Sequence, residues 1–222
     1  LSFCIMGVFL SGCYDSYEAD DMAYVIAIGL DKGSTNNIKM TLQFAVPSKG
    51  SSGESSSSSQ DSNTSITTVE TPTVYGGLNL INTYVSKKIN FAHCKVAVFS
   101  EELAKLGIHK YIHGMVRGRE FRGSMYIAVC QGSAADYITN VKPSLEVNAS
   151  KYYEMNYSSY EYTGFTSDTR LINFYLKEEC SCSQAVATLV GVNKYETDKG
   201  FEGNKATNVK KNFDKVDRKS VV

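Results

Sequence analysis

The stretch Ala23-Tyr24-Val25-Ile26-Ala27-Ile28-Gly29-Leu30 is almost continuously apolar, and it constrains the fold more than any other. A run of this length is the pattern of a central strand buried on both faces, and the turn formers Asp31-Lys32-Gly33-Ser34-Thr35-Asn36-Asn37 bound it. Ile38, Met40, Leu42, Phe44 and Val46 then alternate with Lys39, Thr41, Gln43 and Ala45. That alternation predicts a half-buried strand, with the polar set outward, and the two strands read as an antiparallel hairpin.

Pro47 ends the hairpin, and residues 48–65, rich in Ser, Gly, Asn and Gln, offer too little apolar surface to offset their ordering entropy. They read as a flexible loop, after which Ile66–Thr73 resumes a short strand. Gly76-Gly77 opens a helix whose apolar face is Leu78, Ile81, Val85 and Ile89, with Lys87 and Lys88 in its last turn. Cys94–Phe99 is an interior strand. Ser100 caps the following helix, Glu101-Glu102 sit in its first turn, and Gly107 ends it. A short helix over Ile108–Arg117 leads to a strand at Gly123–Gln131 with Met125, Ile127 and Val129 on one side. Ser133-Ala134-Ala135-Asp136 starts another helix, with Pro143 beyond its end.

Tyrosines crowd Ala149–Tyr162, with Tyr153, Tyr157 and Tyr160 at helical spacing, and Thr169–Lys177 is amphipathic. Cys180–Ser183 reads as a boundary, followed by a strand over Ala185–Val192. The fold expected is α+β. A mixed sheet of Met22–Leu30, Ile38–Val46, Cys94–Phe99 and Gly123–Gln131 carries packed helices within residues 22–180. The start of a second α/β domain follows at 183–222.

Ahead of the hairpin, Leu1–Leu10 carries no charge and is too short for an anchoring span. It fits the apolar region of a secretory leader. Leu10-Ser11-Gly12-Cys13 is the signature of a bacterial lipoprotein, with residues 1–12 cut away and Cys13 alkylated by diacylglycerol. The polar, acidic residues 13–21 then form a tether. One acyl chain binds a membrane marginally and two anchor stably, at about 0.8 kcal/mol per buried methylene. With no initiator Met and a strand-like ending at Val221-Val222, the 222 residues are expected to be part of a longer chain.

Lysines plus arginines equal aspartates plus glutamates at 23 each, so no basic excess draws nucleic acid. Cys94 and Cys130 read as buried thiols, and Cys180-Ser181-Cys182 is too close-set for an unstrained disulfide. No Gly-x-Ser-x-Gly elbow, Cys/His nucleophile arrangement or phosphate loop is legible. Glu101-Glu102 is a helix-start pair, not an acid/base dyad. His109 and His113 have the i,i+4 spacing of two zinc ligands. A zinc hydrolase wants its glutamate base at 110, where Lys110 stands, so solvated or half-buried helix residues are expected and no metal.

Gly12-Cys13-Tyr14-Asp15, Glu18 and Asp21-Met22-Ala23 through Gly29-Leu30-Asp31-Lys32 resemble the opening of the Ger(x)C family of spore germination lipoproteins. Thr41–Pro47 resembles that family's next strand. Ile89-Asn90-Phe91-Ala92-His93-Cys94-Lys95 and the Glu101–Ile108 helix resemble its His-x-Lys strand and following helix. Arg117, Glu120 and Arg122 fit an Arg…Glu-x-Arg pattern, and Ala134–Ile138 with Pro143–Glu146 fit the next helix and its exit. Tyr14, where tryptophan is usual, and the Ser-rich insert depart from the pattern.

The resemblance implies a non-catalytic subunit of a nutrient germinant receptor, needed for spore germination. It would sit lipid-anchored on the outer face of the cytoplasmic (inner spore) membrane, beside two integral membrane subunits. Its ligands would be membrane lipid through Cys13, no cofactor, and a nutrient germinant reached through the complex. His93 and Lys95 are either strand-edge residues or partner contacts. Arg117, Arg119, Glu120 and Arg122 form either an ion-pair network or a docking patch. The tyrosines of 152–162 make either a core helix with hydroxyls at the surface or an aromatic interface. A solute-binding lipoprotein of a transporter is the competing reading, although the hairpin-first pattern disfavours its two lobes of βα units. A secreted zinc hydrolase is the third.

Overall fold

The computed structural model describes residues 18–46, 64–141, 148–180 and 183–191. The leader, Cys13 and most of the Ser-rich segment lie outside them, as do Pro143 and residues 192–222. A 3-10 turn at Ala19–Asp21 leads into β1 (Met22–Lys32). β2 (Ile38–Ala45) and β3 (Thr64–Thr71) pair antiparallel beside it, so the last two residues of the expected loop, Thr64 and Ser65, are strand.

The rest follows as α1 (Val74–Asn82), β4 (Lys88–Asn90), β5 (Val96–Ser100), α2 (Glu101–Lys105), α3 (His109–Arg117), β6 (Tyr126–Cys130) and α4 (Ala134–Asn140). Then come α5 (Ala149–Tyr157), α6 (Tyr160–Thr163), α7 (Leu171–Glu179) and β7 (Thr188–Val190). Among the described residues the sheet has seven strands in the order β3-β2-β1-β5-β6-β7, with β4 also on β1. β4, β5, β6 and β7 join in parallel, so this is the mixed sheet of an α+β fold.

β1 is long because one edge serves two strands. Met22–Tyr24 pair with β4 and Ala27–Leu30 with β5, and the register against β2 shifts between Val25 and Ala27. This bulge breaks the side-chain alternation: Ile26 and Ala27 both join one core, while Val25, Ile28 and Leu30 join the other. The larger core lies under α1, α2, α3 and α7; the smaller lies under α4 and α5. Both faces of β1 are therefore covered, as its apolar run requires.

Three expectations are corrected by this packing. Thr41 and Gln43 are buried, because α4 and α5 cover the face expected to be solvated. Gln43 Oε1 accepts a hydrogen bond from Tyr153 (3.1 Å), and the Thr41 and Thr68 hydroxyls meet at 3.0 Å. The first helix starts earlier and stops sooner than expected. Thr73 Oγ1 accepts from Gly76 N (3.0 Å), and at the other end Thr83 Oγ1 donates to Leu80 O while Asn82 Oδ1 takes the Ile89 amide (3.1 Å). Side-chain hydrogen bonds of this kind compete with helix continuation, and Ile89 is buried instead in β4. Finally, Thr188–Val190, expected within a second domain, pairs with β6 as a strand of this sheet. The remainder of that expected domain lies outside the described residues, and so does the partner of Cys180, which is disulfide-bonded.

The tyrosine helix is core. Tyr153 and Tyr157 are buried, and their hydroxyls do not reach the surface: Tyr157 meets Tyr137 at 3.3 Å. Burial pushes the Tyr137 phenol up to about 12 and raises the Tyr153 and Tyr157 phenols as well. Tyr162 remains largely exposed.

Candidate functional site

The carboxyl ends of the parallel strands are closed by the chain itself. Ser133 Oγ caps α4, and Ser100 Oγ caps α2, both as the sequence predicts. The Asp31 carboxylate at the end of β1 accepts from Ala134 N (2.7 Å), Ala135 N (2.9 Å) and Ser133 Oγ (3.3 Å). It fills the position at a helix N-terminus that an anion would otherwise take. Two residues earlier, a Cβ on Gly29 would stand 2.8 Å from Ile138 Cδ1 and 3.3 Å from the Ala134 carbonyl carbon, so glycine lets α4 lie close on β1. Gly29 and Asp31 thus serve the fold.

At the opposite, amino ends of β5 and β6 a cleft of about 190 Å³ opens, lined by His93, Cys94, Lys95, Arg122, Tyr126, Glu154 and Arg170 among others. The β4–β5 connection builds one wall. Asn90 Oδ1 accepts from Ala92 N (2.7 Å), Cys94 N donates to Phe91 O (2.9 Å), and Phe91 packs into the core against Phe121. This turn leaves His93 exposed and edge-on to Tyr24, with ring centres 5.1 Å apart. Lys95 N donates to Ile26 O at the bulge and Lys95 O accepts from Tyr126 N, which fixes the backbone between three strands.

Lys95 Nζ bonds Glu154 Oε2 of α5 at 2.7 Å. Arg170 is held by Asp168, whose oxygens both take Nε–H at 2.9 Å, while Asn173 Nδ2 donates to Oδ2 (2.7 Å). That guanidinium keeps the Asp168 carboxyl below the usual carboxylate range. Tyr126 stacks on Tyr157 with centres 5.7 Å apart, and burial raises its phenol, so it remains a hydrogen-bond donor. Arg122 is exposed and has no ion pair among the described residues. The cleft therefore offers a guanidinium fork beside two cations already paired, chemistry suited to a carboxylate or phosphate. Cys94 lines it, but burial pushes its thiol up to about 12, far from a nucleophile.

Of the sequence candidates, His93, Lys95 and Arg122 meet in this cleft. Arg117 and Glu120 do not; both are exposed around the end of α3, where Glu120 lies near Tyr75. No ion pair links Arg117, Arg119, Glu120 and Arg122 among the described residues. Glu154, Tyr126 and Arg170 were not singled out from sequence, since nothing local marks residues brought together from α5, β6 and the start of α7. His109 and His113 lie apart from the cleft, on α3 against α7. Among the described residues no helix is long and apolar enough to cross a membrane.

Comparison with known proteins places this architecture. Residues 15–190 match the family model described as the spore germination protein N-terminal domain. Three relatives come from Bacillus subtilis (strain 168). Spore germination protein KC is 28% identical over 136 residues, 60% of this chain and 33% of that protein. Spore germination protein A3 is 30% identical over 159 residues, 70% of this chain and 41% of that protein. Putative spore germination protein YfkR is 25% identical over 147 residues, 66% and 37% respectively. The match therefore spans between 33% and 41% of these relatives' lengths. No solved structure matches the chain significantly. With the family's domain covering most of its length, the chain belongs to the Ger(x)C family of spore germination proteins.

Proposed function

We propose that this chain acts in spore germination as the lipid-anchored, non-catalytic subunit of a nutrient germinant receptor. Diacylglycerol on Cys13 holds it to the outer face of the inner spore membrane, and its amino-end cleft docks on the two integral membrane subunits. The observation that carries the reading is the family domain itself, which begins two residues after Cys13.

The geometry is favourable to it. Tyr24, which touches His93 at the cleft, is only eleven residues from Cys13, a reach of at most about 40 Å. A lipid on Cys13 would therefore lie within tether reach of the cleft. Arg122, exposed and without an acidic partner among the described residues, suits an acidic side chain of a partner subunit. The competing solute-binding reading is less well supported. Open α/β sheets bind small ligands at the carboxyl ends of their strands, which Asp31 closes here. The cleft's 190 Å³ also falls below the roughly 300–1,000 Å³ of ordinary ligand pockets.

The test is Cys13→Ala in the full-length protein, expressed without its partner subunits. The variant is expected in the soluble fraction while the native protein sediments with membranes. A variant that still sediments with membranes removes the lipid tether from the account.

A further inference from the structure

From the packing of α3 against α7 we infer a binding site for a divalent first-row transition metal at His109, His113 and Glu179, supported by Glu178. The i,i+4 spacing puts both imidazoles on one face of α3, with ring centres 4.0 Å apart. Lys110, in place of a glutamate base, disfavours a hydrolase but leaves the ligand pair intact. The missing donors come from the far helix. His109 Nδ1 lies 2.9 Å from Glu178 Oε1, and His113 Nε2 lies 2.6 Å from Glu179 Oε1. One donor atom each from His109, His113 and Glu179 falls within 4.8 Å of the others.

The chemistry of the set fits a metal of the zinc type. Two imidazoles and a carboxylate leave one position for water, and neutral imidazole with carboxylate suits zinc-like ions over magnesium or calcium, which want six or more oxygens. Bonds of about 2.0–2.1 Å place tetrahedral ligand atoms about 3.3 Å apart, so closure needs shifts of roughly 1–1.5 Å. Half-exposed side chains such as Glu179 can make them. With Nδ1 donating to Glu178, the other nitrogen of His109 is the bare donor; a carboxylate behind a ligating histidine is the usual support. Tyr175 packs edge-on to His113 at 4.9 Å and holds that ring. Glu178 Oε2 is buried and takes no hydrogen bond among the described residues, an arrangement that a nearby cation relieves.

The metal would fasten α7, whose end carries the chain to Cys180 and β7, onto α3. This site stands independently of the receptor reading. It is tested on the purified full chain, stripped with EDTA, reloaded with Zn²⁺ and dialysed. The expected result is one zinc retained per chain and a Tm raised by about 5 °C at hundredfold excess over Kd. His113→Gln and Glu179→Gln should each lower zinc affinity at least about tenfold. X-ray absorption on the loaded native chain should show two imidazole nitrogens and carboxylate oxygen, a readout independent of whether a variant folds. Retention well below one zinc per chain, retention unchanged in both variants, or a sulfur-containing shell would each overturn the site.

Discussion

The two ends of the parallel strands are built from similar residue types to opposite effect. At the carboxyl end, Asp31 is buried and spends its oxygens on α4, and Gly29 gives that helix room. At the amino end, Lys95 and Arg170 are paired with partly exposed carboxylates, and Arg122 is left to solvent. One end is finished by the chain's own groups, whereas the other has spare hydrogen-bonding capacity for something outside it. The Gly29-Leu30-Asp31-Lys32 stretch, part of the family resemblance, therefore belongs to folding, and the exposed guanidinium of Arg122 lies at the other end.

Substitutions can break this contrast, beginning in the smaller core under α4 and α5. Tyr153→Ala should be the most damaging, destabilising by about 3–5 kcal/mol in urea unfolding, because it empties the smaller core. A loss below 1 kcal/mol would show that α5 does not close that face. Asp31→Ala should follow at about 1–3 kcal/mol, since the amides of Ala134 and Ala135 lose their acceptor. At the open end the effects should be small. Lys95→Ala and Glu154→Ala, combined in a double-mutant cycle, should couple by about 0.2–1 kcal/mol.

The Asp168–Arg170 pair sharpens the comparison through pH. Arg170 lowers the Asp168 carboxyl in the folded chain, so its contribution is present above the ordinary aspartate range, about 4, and lost as pH falls through the folded value. Native stability should therefore fall more steeply between about pH 5 and pH 2 than that of Asp168→Asn. Parallel acid limbs in thermal melts would remove the pair from the stability of the open end.

Legibility in the sequence followed the same division. The apolar run of β1, the capping serines Ser100 and Ser133, and the buried stripe Met125, Ile127, Val129 are local patterns, and the structure has them. What sequence reading missed depends on neighbours far along the chain. Thr41 and Gln43 look solvated until α4 and α5 cover them. Ile89 continues a helical stripe until Asn82 and β1 draw it into a strand. In the cleft, Lys95 and Arg122 were visible as candidates, but Glu154 and Arg170 acquire meaning only when α5 and α7 dock. The same holds for Glu178 and Glu179, which turn two ordinary helical histidines into a four-residue cluster.

The most direct test of the proposed docking end is Arg122→Glu in the full-length protein, carried in spores together with the two membrane subunits proposed as its partners. The residue is exposed and unpaired among the described residues, so the thermal melt should match that of the native protein. Co-isolation with the membrane subunits and the response to nutrient should both fall sharply. A variant that co-isolates and germinates like the native protein would contradict the assignment of the amino-end cleft as the docking surface.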